Sequence, residues 1–354
     1  MTQITARVIA HSKSAVNGKE IITFELEFPR LILAEFNTHN ALSKNASSSR
    51  AIPVAKMLEQ VRNNPAMPVR FGKKNKGMQD DGEHNDLVIM TNQQADSWGG
   101  MYPEDAWRYA ANIAADFAQA FDDAGYAKQI CNRLIEPFQM MKVVMTATDL
   151  NNFIWLRDHP AADPTIEVLS KAIKVAKEES TPFLLQPGEW HLPYVETTRD
   201  FSGKILYIIT TDRDDPERVP DVEYDRYVRI LSEEDALAIS ASCCAQVSFR
   251  SLDDSIEKAY SVVQKLNLGG ADNEPVHASP LEHQASPMKE TTYHRVDKYP
   301  DMYVTKSLDQ NNPENIKSWQ EGITHVTREG EFGSGNLKGF IQYRQLIPNN
   351  VKRG

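Results

Sequence analysis

The chain has 354 residues and a mass of 40.0 kDa, with 41% hydrophobic and 25% charged residues, enough to bury one large core or two small ones. Lysine and arginine total 39 against 49 acidic residues, giving a formal charge of -10 and a pI near 5.5. That balance excludes a duplex-coating surface, which must neutralise phosphates, but leaves room for a small anionic ligand held by a local group of arginines. Cys131 and the adjacent pair Cys243 and Cys244 do not make a disulfide scaffold. No apolar run approaches the ~20 residues of a membrane span, and the opening MTQITARVIAH has no signal-peptide core. The expectation is a soluble, cytoplasmic protein with no membrane partner and no direct nucleic-acid partner.

Residues 3–10 and 21–28 are short, β-branched and partly alternating, which predicts two strands joined at Asn17-Gly18. After Pro29, apolar positions in 31–45 (LILAEFNTHNALSKN) recur at helical spacing, and Ala51-Ile52-Pro53 then redirects the chain. Residues 65–100 lack a clear period and read as a long surface loop. Trp107, Tyr109, Ile113, Phe117 and Phe121 give an amphipathic helix from Pro103 to about Asp123, broken at Gly125. A second helix follows over 128–138, then an apolar stretch over 139–157. Asp163 as N-cap with Pro164 behind it starts a helix over 163–178. Between 181 and 232 one strong strand stands out, 204–211 (KILYIITT). Ser232 followed by Asp235 caps a helix that carries Cys243 and Cys244, and 255–266 forms another. Gly269-Gly270 opens a loop to 276–287 (VHASPLEHQASP). The stretch 335–346 reads as a helix after a glycine-rich loop. Strands and helices mix without a βαβ rhythm, so the expected class is α+β, with a mixed or antiparallel sheet flanked by helices.

Phosphate-loop, dinucleotide, zincin and serine-hydrolase motifs are all absent, and the cysteines show no CxxC spacing. Each cysteine lies in an apolar helical stretch and reads as a buried, inert thiol. The densest polar segment is 38–50 (THNALSKNASSSR). It admits two readings: a backbone N–H nest for phosphate with Arg50 as a bidentate grip, or a helix end capped by serines. His277, Ser279, Leu281 and His283 alternate, so an extended segment would put them on one face. Two histidines at that spacing form no zinc pattern, so no metal is expected. Arg133 and Arg157 lie in apolar helical stretches, where a charge requires a partner; Glu136 and Asp158 are the nearest candidates. Trp190 and His191 read as a packed loop anchor rather than a ligand cover. The acidic runs 212–215 and Asp253-Asp254 read as solvated turns rather than a metal-dependent hydrolase site.

Segment 38–50 resembles the signature of flavin-dependent thymidylate synthases, Arg-His-Arg, seven residues, then Ser, with His39, Asn45, Ser48 and Arg50 at matching positions. GYAKQICNRLIEP is similar to the family's helix with an arginine ahead of a proline and matches Arg133. TATDLNNFIWLR resembles the segment ending in Asn-Phe-Leu-x-Leu-Arg and matches Asn152 and Arg157. CCAQVSF and VHASPLEH resemble two signatures that in ordinary members come before the Arg-His-Arg motif; here they come after it. The resemblance therefore implies a circularly permuted, enlarged, phage-type member with permuted strand order. In this reading the single domain 1–354 has a core of 20–180 and 236–287, an insertion at 181–235 and a C-terminal extension at 288–354.

By resemblance, Glu35, Ser48, Ser49, Arg50, Arg133 and Arg157 would contact a deoxypyrimidine monophosphate, with Arg157 catalytic. His39, Asn40, Asn45, Asn152, Ser248, His277, Ser279 and Glu282 would contact FAD. The implied reaction methylates dUMP at C5, using methylenetetrahydrofolate and NADPH, in a homotetramer whose sites lie between subunits. The chain departs from the pattern at Thr38, Asn40, Ala46 and Gln246. The first two replace arginines beside His39, so Lys44, Lys338 or Arg344 would have to compensate. Those departures keep two alternatives open: C5 hydroxymethylation of dUMP or dCMP for modified-base DNA, and a nucleotide-binding protein without catalysis.

Overall fold

In a computed structural model, which describes residues 4–77, 82–89, 100–210, 219–221, 226–250, 252–270, 276–289 and 319–351, β1 (Thr5–Ser14) and β2 (Glu20–Pro29) form an antiparallel hairpin. Gly18 turns it at φ 69°, a left-handed conformation that disfavours a side chain, and the Asn17 side-chain Oδ1 accepts from Lys19 N at 2.8 Å. The chain continues through α1 (Leu33–Asn37), β3 (Ser43–Ala46), α2 (Val54–Asn63), α3 (Pro103–Asp123) and α4 (Lys128–Leu134). It then forms β4 (Met140–Ala147), α5 (Asn151–Arg157), α6 (Pro164–Glu178) and β5 (Phe183–Leu185). The sheet order is β3-β4-β2-β1-β5, antiparallel throughout except for the parallel pair β1–β5.

Strand alternation divides β2 and β4 between two faces. Ile22, Phe24, Leu26 and Phe28 face the same way as Met141, Val143 and Met145, and they pack against Phe36 of α1, Phe153 of α5 and Ile166, Leu169 and Ile173 of α6. Each such burial contributes roughly 1.5–3 kcal/mol. The Asp163 carboxylate caps α6 as expected, accepting from Thr165 N at 2.8 Å and Ile166 N at 3.4 Å. Helices α2, α3 and α4 bury a separate cluster that includes Cys131.

A second antiparallel sheet contains β6 (Glu196–Arg199), β7 (Ile205–Thr210), β8 (Val219–Asp221) and β9 (Arg226–Leu231), in the order β6-β7-β9-β8. Between the two sheets lies α7 (Glu233–Gln246), followed by α8 (Ile256–Lys265), and α7 is buried along its length from Ala236 to Gln246. That explains its run of small apolar residues without a polar face. Cys244 and Val247 pack on Val144 of the first sheet, while Ile239 and Cys243 join Tyr207 and Ile209 of the second. The last elements are β10 (Ala285–Pro287), β11 (His325–Val326), β12 (Phe332–Ser334), β13 (Leu337–Lys338) and β14 (Phe340–Gln342), with β10 paired to β14.

The architecture is α+β with a mixed, mainly antiparallel sheet, but several elements correct the sequence reading. The helix expected over 31–45 stops at Asn37, and Ser43–Ala46 is a strand. The stretch 335–346 is not a helix. Gly335 and Gly339 hold φ of 59° and 74°, which break the segment into β13, β14 and a final 3-10 turn. Ser279–Glu282 is a 3-10 turn, not an extended segment, so His277 to His283 do not share one face. Residues 139–157 divide into β4 and α5. The helix over 128–138 ends at Leu134. The acidic run 212–215 lies outside the described residues.

Candidate functional site

Three segments far apart in the chain meet at β3. Asn45, buried in the middle of this strand, donates from Nδ2 to the Cys244 carbonyl at 2.5 Å, and its Oδ1 accepts from Ser279 Oγ at 3.4 Å. Ser248 Oγ donates to the Ala46 carbonyl at 3.3 Å, and Ser48 N donates to the Ser248 carbonyl at 3.1 Å. Segments 38–50, 244–250 and 277–283 therefore form one cluster although they are scattered in sequence. The polar groups of Asn45, Ser248 and Ser279 used here bind protein.

At the leading end of β3, Arg157 Nε donates to His39 Nε2 at 2.9 Å and Arg157 Nη2 to Thr38 Oγ1 at 3.4 Å. The buried His39 ring also meets Phe153 edge-on at 4.9 Å. Burial, then the Arg157 and Lys44 cations, hold the His39 pKa below its ordinary value, which keeps Nε2 an acceptor. Asp158 is not the partner of Arg157; it accepts from Lys174 at 3.3 Å. Lys44 Nζ donates to the carbonyls of Phe36, Asn37 and His39 at 3.4, 3.3 and 2.8 Å, at the C-terminal end of α1. Glu35 on α1 is half-buried, and its Oε2 has no hydrogen-bond partner among the described residues. Asn152 is exposed in the first turn of α5, and His277 is exposed with its backbone N bonded to Leu266 O at 3.2 Å.

Beyond the other end of β3 the serine segment turns. Ser48 N is bonded to Ser248, Arg50 N to Ser48 Oγ, and Ala51 N and Ile52 N to the Ser48 carbonyl. Those N–H groups are engaged, so the arrangement is the serine-stabilised turn and not an open phosphate nest. Asn132 Nδ2 fastens the turn through the carbonyls of Ser49 and Ile52 at 2.9 and 3.0 Å. Ser49 Oγ and Arg30 Nη2 both donate to Glu136 Oε1 at 2.7 Å. Glu136 therefore pairs with Arg30, not with Arg133. Arg50 and Arg133, which follows Asn132 on α4, are both exposed. Arg157 is tied to residues that precede β3, while Arg50 stands in the turn that follows it and Arg133 is next to the Asn132 that fastens that turn.

A cleft of about 410 Å³ opens beside the 38–45 segment, lined among others by Asn40, Lys44, Glu282, Asn336, Gln342 and Arg344. Arg344 Nη1 is paired with Glu282 Oε1. Burial raises the Glu282 pKa, opposed by Arg344 and Lys44, and burial lowers that of Lys44. Sequence reasoning missed Asn336 and Gln342. Asn336 Oδ1 accepts from Ser43 Oγ and from Gln342 Nε2, both at 2.9 Å, which joins the C-terminal segment to β3. The one signal for them was Gly335-Asn336 followed by Gly339, a turn pattern. Lys338 lines a different cleft and pairs with Asp149 at 3.5 Å.

The inner face of the sheet carries a second polar feature that sequence reasoning did not find. Ser12 Oγ lies 2.9 Å from His191 Nδ1, and His191 Nε2 lies 2.8 Å from Thr23 Oγ1. Thr23 and Thr146 hydroxyls are 2.7 Å apart, and Thr146 Oγ1 lies 2.9 Å from His283 Nδ1. This buried chain of hydrogen bonds crosses β1, β2 and β4 and ends on the residue after Glu282. Burial pushes both histidines down to about 3, with neighbouring histidines adding to the effect at His191. Trp190 and His191 are therefore the packed anchor expected of them. The thiols of Cys131, Cys243 and Cys244 are buried and pushed up by that burial. Among the described residues no group of three or more histidine, cysteine or acidic side chains is placed to hold a metal, and no helix is long and apolar enough to cross a membrane.

No protein-family model matches the chain, and no curated protein matches it. Solved structures similar to it include the UMP/dUMP methylase PolB from Streptomyces cacaoi bound with 5-bromo-UMP, at 14% identity and a TM-score of 0.37, over 51% of this chain and 90% of that one. The same enzyme with 5-bromo-dUMP gives 14% identity and a TM-score of 0.33, over 51% and 91%. Thymidylate synthase X from Helicobacter pylori, with FAD and dUMP, is 16% identical with a TM-score of 0.29, over 44% of this chain and 67% of that one. Similarity of this strength leaves the functional reading to rest on the residues themselves.

Proposed function

We propose that the protein transfers a one-carbon unit to C5 of a deoxypyrimidine monophosphate, methylating dUMP with FAD, methylenetetrahydrofolate and NADPH. The observation that supports it is the meeting at β3 of Asn45, Ser248 and Ser279, three residues read from separate family signatures, through direct hydrogen bonds. In ordinary members the segments matched by Ser248 and Ser279 precede the one matched by Asn45; here both follow it, and we read their meeting on one strand as a circular permutation. We read 20–180 and 236–287 as the catalytic core of a single enlarged domain, with 181–235 inserted, 288–354 appended and a phage origin.

Uracil C5 is a weak nucleophile until electron density is pushed toward it from the ring. Arg157, oriented by His39 and Thr38, keeps guanidinium N–H groups for the ring carbonyl where negative charge develops. Ser48, Ser49, Arg50, Arg133 and Glu35 would hold sugar and phosphate, so that binding energy fixes the base. Asn40, Lys44 and Glu282 line a polar cleft whose cations and amides suit a nucleotide cofactor, and His39, Asn152 and His277 would complete that contact set. A bound flavin would supply the hydride and carry the one-carbon unit. The raised thiol pKa values argue against a cysteine nucleophile. By resemblance the protein would be a homo-oligomer, a tetramer whose sites lie between subunits.

The test is a visible spectrum of the purified protein followed by turnover with labelled methylenetetrahydrofolate on dUMP and on dCMP, with products identified by mass. A flavin spectrum and a methylated dUMP product are expected. A product with oxygen on the new carbon would replace methylation by hydroxymethylation. Colourless protein that takes up no FAD yet binds dUMP would leave a binding protein without catalysis.

A further inference from the structure

The cleft beside Lys44 is built in part by the C-terminal segment, and its charges do not cancel. Lys44 and Arg344 face one acidic lining residue, Glu282, and the rest of the polar lining includes the side-chain amides of Asn40, Asn336 and Gln342. Lys44 Nζ donates to the His39 carbonyl at 2.8 Å and reaches those of Phe36 and Asn37 at 3.4 and 3.3 Å, so it adds mainly positive field. Arg344 differs. Nη1 is paired with Glu282, and Nη2 reaches the Asn350 carbonyl at 3.4 Å, a weak contact. Its Nε is buried with no acceptor among the described residues. A guanidinium has five N–H donors in a planar fork, so most of its capacity is unspent. The Nη N–H groups not spent on Glu282 are the donors that an anionic oxygen in the cleft would meet.

We propose that this cleft is an anion subsite in which Arg344, delivered by the C-terminal segment, grips a phosphate group of a nucleotide. A volume of about 410 Å³ exceeds what a phosphate alone fills and falls in the range of small-ligand sites. Two sources share this chemistry, the phosphates of a dinucleotide cofactor and that of the nucleotide substrate. The proposal rests on the reading that the protein handles nucleotides, and it assigns a binding role to a segment outside the stretches that carry the resemblance.

The full-length protein and its R344Q and R344K variants are titrated with two matched pairs, FAD against riboflavin and dUMP against deoxyuridine. For one pair, R344Q is expected to weaken the phosphate-bearing member about tenfold or more while the other member stays within about twofold. R344K should be intermediate, because an ammonium cannot reproduce the fork. The responding pair identifies the source. Because R344Q leaves Glu282 buried without its cation, the double variant E282Q/R344Q is run beside it and should show the same phosphate-dependent loss. Equal loss for both members of each pair, or no loss in any, would overturn the subsite. Pyrophosphate alone separates this result from the functional reading. If the protein makes no thymidylate but pyrophosphate raises its melting temperature and R344Q abolishes that rise, the subsite stands and the enzyme reading falls. If thymidylate forms while every affinity is indifferent to R344Q, the enzyme reading stands and the subsite falls. No shift with pyrophosphate and no binding of the four ligands removes both.

Discussion

Arg157 and His39 are separated by 118 residues in sequence, yet the guanidinium Nε donates to the imidazole Nε2 at 2.9 Å. The histidine is held neutral by burial and by the cations around it, so it accepts without competing for the anion that the arginine would stabilise. Removing each partner separates a catalytic role from a positioning role. R157A should lower kcat on dUMP about 100- to 1,000-fold, the size of a lost charge-stabilising donor, with a smaller change in KM. H39A leaves the arginine present but unanchored, and about a tenfold loss of kcat is expected. Steady-state kinetics on folded variants check both. Equal losses in the two variants would mean that His39 itself takes part.

The buried chain Ser12–His191–Thr23–Thr146–His283 predicts a pH dependence of stability. Both histidines have pKa values pushed down to about 3 in the folded protein, against about 6.5 in an unfolded chain. Unfolding therefore takes up protons between those values. Stability is full above about pH 6.5 and falls as the pH drops toward 3, by at most about 1.4 kcal/mol per pH unit for each histidine. Urea titrations at about pH 7, 6 and 5 should show this loss. T146V, which keeps the shape but breaks the chain, should cost about 1–3 kcal/mol at neutral pH. A flat profile from pH 7 to 5 would show that these rings are not held neutral.

What the sequence reveals follows from how local the deciding interaction is. Asp163-Pro164 and Ser232 with Asp235 predict helix starts because the cap and the N–H groups it serves lie within one turn, and both caps form. Asn17-Gly18 predicts its turn for the same reason. Segment 31–45 carries a helical pattern whose end is set from elsewhere: Asn45 is drawn to Cys244 and Ser279, and Ser43 to Asn336. The 335–346 segment shows the same effect through β10, which pairs with β14 from far upstream. At the site, resemblance selects Asn45, Ser248 and Ser279, which do meet, and Asn40 and Glu282, which line one cleft. It has no means to select Asn336 or Gln342, whose contacts depend on tertiary structure alone. Assigning Glu136 to Arg133 and Asp158 to Arg157 fails because proximity in sequence does not fix which way a side chain points.

Glu136 links the serine turn to the sheet, accepting from both Ser49 and Arg30. The ion pair is partly buried, so E136Q should cost only about 1 kcal/mol of stability. The larger effect is expected on the turn that carries Arg50. Loosening it should raise KM for dUMP several-fold while kcat stays within about twofold, the pattern of lost ground-state binding. Equal changes in kcat and kcat/KM would place Glu136 in the chemistry instead.

Asn45 tests whether the meeting of segments at β3 holds the fold together. Its amide is directional: Nδ2 must donate to the Cys244 carbonyl, and Oδ1 must accept from Ser279. N45A removes both bonds and should cost about 1–3 kcal/mol in denaturant unfolding. N45D is nearly isosteric but puts an acceptor against a carbonyl and a charge in a buried position, so it should cost more than N45A at neutral pH. The burial that penalises the charged aspartate also raises its pKa above the usual range near 4. Protonation restores a donor, so the excess cost of N45D over N45A should shrink as the pH falls toward about 5. The difference between the variants is the quantity to follow, because the histidine chain destabilises both equally over that range. If N45D matches the unsubstituted protein at neutral pH, the Asn45–Cys244 bond does not hold α7 against β3.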